Sequence, residues 1–523
     1  MRNAAVCRKR GGNPDGAKLV SPAMALSNNA AKSTGDERYW FYTVNAVFFV
    51  TVVRLAWLAY GRTDLYPDEA QYWLWSLHPA FGYYSKPPVV AWLIALTTRL
   101  FGDSEGAVRL AAPLLHFVAA LVVFRIGQRL YDARTGFWSA LLYITLPGVS
   151  ASAALISTDA PLLLCWTAAL YCFVRAREPE GGHWWWAVGI AAGVGLLSKY
   201  AMVYWLASAA IYLLAFRDER RHLGRFLLAT GIAVLIYAPN FAWNAQHSFV
   251  SYHHTGENAA SHGALFNPSH LVAFVGSQFA VFGPIGFAAL LAIVLTARRA
   301  LASRPAALLA IFTLPTLAMM VVVSFITHAE PNWAAPVYVS AAILVSAWLL
   351  DGGHRRWLVA AVAIDLAAAV VAFTAHDVAR ATGHSLPARY DMLHRLRGWR
   401  QLGVAVRGIL AQHPGALLLS DDREDLAVLM YYVRPQPVGA LKWNGESRRV
   451  NDQFDLEADP KADIGRDFVL VSHHPENIQR ILGRFAAAGP VDHVVIPLED
   501  DASRDYIVRF LHDFKGYRQS PGG

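Results

Sequence analysis

A few ionisable side chains interrupt an otherwise apolar chain, and their types suit chemistry on a hydroxyl and a phosphate. Asp68 and Glu69, in Tyr66-Pro67-Asp68-Glu69-Ala70, form a carboxylate pair able to take a proton from an acceptor hydroxyl. The same pattern is ordinary helix-start chemistry, with proline in the first turn and acids at the positive end of the helix dipole. Lys86, in Tyr83-Tyr84-Ser85-Lys86-Pro87-Pro88, is either a snorkelling lysine or a compact point charge for a lipid phosphate. Asp159, in Ser157-Thr158-Asp159-Ala160-Pro161, either caps the helix that follows or faces Asp68 across a cavity. Lys199 breaks an apolar run in which any charge is costly. His253-His254 and His328-Ala329-Glu330 are looser pairings. Adjacent histidines cannot share a helix face, and such a loop pair is more often solvated than metal-binding.

The elements that must hold these groups are not those of a soluble protein. The chain has 523 residues, 55% of them hydrophobic and only 16% charged, with a mean hydropathy of +0.31, which excludes a water-soluble globule and points to a polytopic membrane protein. The net charge of +8 divides into +12 over residues 1–400 and −4 over 401–523. The basic excess therefore lies in the membrane part, where it reports topology rather than a nucleic-acid partner. Cys7, Cys165 and Cys172 allow no disulfide framework, and no zinc-type Cys/His spacing is present.

Apolar stretches long enough to span a bilayer lie at about 39–60, 107–128, 135–154, 160–176, 184–198, 200–216, 225–243, 269–297, 305–326, 332–350 and 356–374, giving about eleven helices. Lys and Arg collect on alternate connections: Arg8/Lys9/Arg10, Arg125/Arg129/Arg134, Arg175/Arg177, Arg217/Arg220/Arg221/Arg225, Arg298/Arg299/Arg304 and Arg355/Arg356. The positive-inside rule makes those connections cytoplasmic and the C-terminus external. The apolar run from Pro87 to Phe101 is too short to cross and is expected as an interfacial or re-entrant helix within a first external loop, 61–106. Residues 1–36 read as a disordered cytoplasmic tail, 37–375 as the membrane domain, and 376–523 as a small external α/β domain. Within the last, Ala416–Leu419, Phe468–Val471 and His493–Ile496 read as strands, and no phosphate loop or catalytic triad appears, so no chemistry is assigned to it. With this topology nearly all of the unusual polar residues gather on the external side.

Taken in order, Asp68-Glu69, the Ser85-Lys86-Pro87 step, Phe101-Gly102-Asp103 leading to Arg109, the basic turn Arg129 to Gly136, and Ser157-Thr158-Asp159-Ala160-Pro161 resemble bacterial GT-C glycosyltransferases. The similarity is to the branch holding protein O-mannosyltransferases and the lipid A aminoarabinose transferase, and it runs over residues 40–220, loosening to 375. It implies a multi-span body with external juxtamembrane helices and a polyprenyl-phosphate sugar as donor. It also implies Asp68 as the catalytic acid of the first loop, Asp159 as the second acid of the cavity with Glu69 beside them, and Lys86 near the donor phosphate. Lys199 and Arg109 are the further cations expected for that phosphate, and Tyr66, Tyr84, His253, His254 and Glu330 are expected to line the substrate cavity. Aminoarabinose transferases carry Glu before that lysine where this chain has Ser85, so neither a metal role nor that sugar is carried over. No cofactor is expected to be required, and no metal ligand set is nominated.

External chemistry has no access to cytoplasmic nucleotide sugars, and no Gly-rich loop is present to cradle a diphosphate. A lipid-linked monophosphate sugar removes both difficulties. The expected acceptor is a lipid or envelope glycan in the inner membrane's outer face, since no peptide-binding module is recognisable; a protein acceptor is the alternative. A transporter or flippase would show internal repeats and mid-span ionisable groups, and neither is seen.

Overall fold

The computed structural model describes residues 22–517, apart from 62, 260–265, 435–438, 446–448, 459–461 and 500–501. All eleven apolar stretches are helical. Among the described residues seven helices are long and apolar enough to cross a membrane, or up to nine if each of two bent pairs is one span. The protein is a multi-span α-helical membrane protein. The two stretches outside that count, Trp184–Ser198 and Met202–Ala215, have 15 and 14 residues. At 1.5 Å per residue each covers only about 20 Å of a core about 30 Å thick.

Two expected spans are not straight. Ala133–Thr145 and Pro147–Ala154 meet at 56°, because Leu146 precedes a proline and takes an extended conformation. Pro268–Val281 and Pro284–Leu295 meet at 117° through Gly283, whose φ of +76° favours glycine. A Cβ there would also lie 2.4 Å from Oδ1 of Asp365. The segment 269–297 is thus a sharply folded pair rather than one continuous rod. The segment expected to be disordered, 1–36, is helical from Pro22 onward and runs unbroken to Tyr60, while residues 1–21 lie outside the described residues. Ala, Met and Leu among residues 22–31 are strong helix formers, and a proline suits a helix start.

Between the first two spans lie the helices Pro67–Leu77 and Val89–Phe101. The second has 13 residues, about 20 Å, so it cannot cross a bilayer. The first packs against the helix Arg423–Tyr432 of the C-terminal domain, and the second packs on the first. Trp73, Val90, Ile94 and Val108 share one buried cluster with Leu402, Leu426, Tyr431 and Val469. The Trp73 and Tyr431 rings lie 4.9 Å apart, and the amide of Leu65 donates to the Tyr432 hydroxyl at 2.7 Å. The domain is therefore a wall of the membrane body's first loop rather than a separate appendage.

That domain holds a five-stranded sheet: β1 (Leu417–Ser420), β2 (Ala440–Lys442), β3 (Phe468–Ser472), β4 (Phe485–Glu499) and β5 (Ala502–Phe514), in the order β2-β1-β3-β5-β4. β1 pairs parallel with β2 and β3, with Leu418 opposite Val469; β5 pairs antiparallel with β3 and β4. The fully buried LLLS and FVLVS runs are the expected parallel strands. β2 and β5 were not legible in the sequence, the first because it has three residues, the second because its apolar positions alternate with charges.

Candidate active site

The acid pair of the first loop divides its work. Pro67–Leu77 starts with Tyr66 at the N-cap, and the Tyr66 amide donates to Oε2 of Glu69 at 2.9 Å, closing a capping box. Glu69 is 1% exposed. It also accepts from Nε and Nη2 of Arg109, the shortest contact being 2.6 Å, and from the amide of Ile156 at 2.9 Å. Arg109, 2% exposed, spends its remaining donors on Thr63 Oγ1 at 3.0 Å and the Asp64 carbonyl at 2.7 Å. Arg109 is thus part of a buried ion pair that ties the first loop to the turn before Asp159, not a cation open to a phosphate. Glu69 accepts five hydrogen bonds from four donor groups, so both of its oxygens are committed to holding the loop.

Asp68 is different. Its side chain keeps 42% of its surface, and its Oδ1 lies 3.1 Å from Nη1 of Arg423. Arg423 opens the helix Arg423–Tyr432 of the C-terminal domain, and the same Nη1 donates to Gln71 Oε1. Asp68 lines a cavity of about 320 Å³ together with Tyr66, Asp159, Asn332 and a mostly apolar wall.

Asp159 is the first residue of the helix Asp159–Ala176, with Thr158 at the N-cap, so it is not the cap. Its Oδ1 accepts from Lys199 Nζ at 2.7 Å and its Oδ2 from Asn332 Nδ2 at 2.7 Å. Lys199 sits where the helix Trp184–Ser198 breaks, and the ion pair explains how a charge is tolerated there. The two cavities meet at this pair: Asp159 faces the first, and Lys199 lines a second of about 530 Å³ with Lys86, His254, His328 and Glu330.

Lys86 is placed by a tightly held loop. Asn240 Nδ2 donates to the Phe81 carbonyl at 2.7 Å, Ser251 Oγ to the Tyr83 carbonyl at 2.7 Å, and the Tyr84 amide to Gln453 Oε1 at 2.7 Å. Tyr83 stacks on Trp75 with centroids 4.6 Å apart. Gly82 is needed for the close approach, since a Cβ there would meet the Trp243 ring at 2.4 Å. Among the described residues no carboxylate lies within 4.0 Å of the Lys86 ammonium. Burial, then the neighbouring charge of Lys199, lowers its pKa from the ordinary lysine range, with Asp68 and Asp159 acting against the shift. Burial, then the neighbouring charge of Lys86, likewise lowers the pKa of His254.

Tyr66, Asp68, Glu69 and Asp159 therefore converge on one cavity, and Lys86, Lys199, His254 and Glu330 on the other. Tyr84 is buried with its ring 5.1 Å from that of His254 and lines neither, and His253 is exposed outside both. Arg423 and Gln453 were missed: both come from the domain to which the sequence assigned no chemistry, and only their distant partners mark them.

Residues 85–243 match the family model described as dolichyl-phosphate-mannose-protein mannosyltransferase. The chain is 30% identical over 387 residues to lipid A galacturonosyltransferase RgtD of Rhizobium johnstonii, covering 73% of this chain and 81% of that enzyme. It is 28% identical over 187 residues to the undecaprenyl phosphate-alpha-4-amino-4-deoxy-L-arabinose arabinosyl transferase of Pseudomonas savastanoi pv. phaseolicola, covering 32% and 34%. Its fold matches the crystal structure of ArnT from Cupriavidus metallidurans in the apo state, with a TM-score of 0.63, 18% identity and coverage of 90% and 97%. With a glycosyltransferase related over most of its length and the same fold from first span to terminal sheet, this chain belongs to the GT-C membrane glycosyltransferases.

Proposed function

We propose that this glycosyltransferase moves a sugar from a polyprenyl-phosphate donor onto a lipid A or lipopolysaccharide-core hydroxyl at the external face of the bacterial inner membrane. The observation that carries the reading is the pair of cavities joined at Asp159–Lys199, with a partly free carboxylate on one and two lysines on the other. The donor phosphate lies against Lys86 and Lys199, and the acceptor hydroxyl reaches Asp68. Asp68 takes the hydroxyl proton as the oxygen attacks the anomeric carbon, the bond from that carbon to the phosphate oxygen breaks, and polyprenyl phosphate leaves. A single displacement inverts the anomeric centre. Lys86 and Lys199 offset the charge that grows on the departing phosphate.

The names of the relatives supply the substrate classes: RgtD is a lipid A galacturonosyltransferase, and a solved ArnT is bound to undecaprenyl phosphate. A uronic acid suits a cavity with two lysines, and we take that sugar class first. Ser85 offers no carboxylate beside Lys86, so the charge on the departing phosphate is met there by the two lysines. Alternation of the Arg clusters supports the external placement of both cavities and of the sheet domain.

The test is turnover by purified protein with synthetic polyprenyl-phosphate galacturonate, polyprenyl-phosphate aminoarabinose and nucleotide sugars, each offered with lipid A or with a Ser/Thr-rich peptide. Mass spectrometry should find one added uronic acid on lipid A from the first donor. Turnover from nucleotide sugars alone would overturn the donor class, and transfer only to the peptide would overturn the acceptor.

A further inference from the structure

We propose that the C-terminal domain binds a divalent transition-metal ion of the zinc class between Asp422, His473 and His474, where the first two parallel neighbours of its sheet end. From β1 the chain moves to β2 on one side, and then to β3 on the other, so the strand order reverses between β1 and β3. The crevice beyond the carboxyl ends of two such strands is where open α/β sheets hold ligands. Each strand runs out into a matched turn, Ser420-Asp421-Asp422 after β1 and Ser472-His473-His474 after β3. In each, the serine hydroxyl accepts from the amide two residues on, at 3.2 Å for Asp422 and 3.0 Å for His474.

One ligand atom from each of Asp422, His473 and His474 lies within 4.8 Å of the others. Ligands of tetrahedral zinc, bonded at about 2.0–2.1 Å, stand about 3.3 Å apart, so modest side-chain rotation closes the set. The surroundings are those of metal-ligating histidines, which commonly give their other ring nitrogen to a carboxylate. Nδ1 of His473 lies 2.6 Å from Oδ2 of Asp425, a residue 1% exposed whose Oδ1 accepts from the Tyr506 hydroxyl at 3.0 Å. Nδ1 of His474 lies 3.2 Å from Glu476, which turns its Nε2 towards Oδ2 of Asp422 at 3.9 Å, too far for a hydrogen bond. Oδ1 of Asp422 is occupied in capping the helix Arg423–Tyr432, at 2.6 and 3.1 Å from two amides, which leaves Oδ2 for the metal. Two imidazoles with one carboxylate favour zinc-class ions over magnesium or calcium.

The position gives the ion a consequence. Asp422 caps the helix whose first residue, Arg423, is paired with Asp68, so an ion on Asp422 fixes the turn that carries that arginine. This link rests on the proposed role of Asp68; the metal site does not.

The experiment uses full-length, tag-free, detergent-solubilised protein incubated with zinc chloride, desalted, and measured for bound zinc, with cobalt replacing zinc for its visible absorption. One zinc per chain and the absorption of a four-coordinate cobalt ion are expected. The His473→Ala/His474→Ala variant should lose both, and Asp422→Asn, which keeps a capping oxygen, should bind at least about tenfold more weakly. His474→Ala alone, which leaves the Asp425–His473 pair intact, serves if the double variant does not fold. Failure to retain stoichiometric zinc, or equal retention by the histidine variants, would overturn the site. Failure of every sugar donor to turn over, with zinc still bound, would strike the proposed reaction and not the metal.

Discussion

Arg423, in a helix of the sheet domain, reaches Asp68 in the first loop of the membrane domain, 355 positions earlier, with Nη1 3.1 Å from Oδ1. The guanidinium also holds Gln71, one turn further along the Asp68 helix, so a single side chain fixes both the carboxylate and the helix face that carries it. Both partners are partly exposed, and a pair of that kind contributes only about 0–1 kcal/mol to stability. Its value lies in geometry.

Arg423→Ala should therefore leave a folded, inserted protein with a melting temperature close to the parent's, yet lower kcat by up to about 10²-fold through misplacement of Asp68. Arg423→Lys should restore part of the rate. The comparison of kcat with thermal unfolding decides it: a large loss of stability with normal turnover would make Arg423 a docking residue only.

Asp68→Asn keeps size and a hydrogen-bonding oxygen but cannot accept a proton at neutral pH. A general base contributes about 10²–10⁴ in rate, whereas an exposed acid in the first turn of a helix adds about 0.3–1 kcal/mol of stability. Steady-state assays on the variant should show donor still bound and turnover nearly gone. Activity within a few fold of the parent would remove Asp68 from the chemistry.

For Glu69→Gln the expectation is reversed. Breaking a buried pair strands Arg109 without its counter-charge and costs about 3–5 kcal/mol, so the variant should melt far lower or fail to accumulate. The fraction that folds should turn over at near the parental kcat. A fully stable but inactive Glu69→Gln protein would instead make Glu69 the base.

Lys86 predicts a pH limb. A lysine that binds a phosphate in its charged form holds donor below its own pKa and releases it above. Burial and the nearby Lys199 lower that pKa in the free enzyme, so kcat/KM should begin to fall at a lower pH than an ordinary lysine would give. Lys86→Arg, charged throughout the accessible range, should move the limb upward while lowering the maximum. An unchanged limb in the pH profile of this variant would assign the titration to another group.

Orientation is tested by reporter fusions. Those joined after residues 130, 178, 220 and 302 should report cytoplasm, and one after residue 400 the exterior, following the Arg clusters. A cytoplasmic signal at 400 would place both cavities on the wrong face for a lipid-linked donor.

The sequence by itself determined the apolar helical stretches, the helix start at Pro67-Asp68-Glu69, the short helix after Lys86 and three of the sheet's strands. Each rests on a local property, the length of an apolar run or the chemistry of a helix's first turn, that needs no knowledge of what lies opposite. Residue type could not separate Asp68 from Glu69, adjacent carboxylates that differ only in partners: Arg109 is 40 positions from Glu69, and Arg423 is 355 from Asp68. The 117° fold at Gly283 likewise hides inside a run that is apolar from end to end, because hydropathy does not register a positive φ. The Asp422, His473 and His474 cluster exists only once β1 and β3 pair in parallel, bringing together two turns some fifty residues apart. Tertiary structure decided those matters because charge pairing and ligand convergence depend on distance in space, and the chain's order sets distance only within a single element.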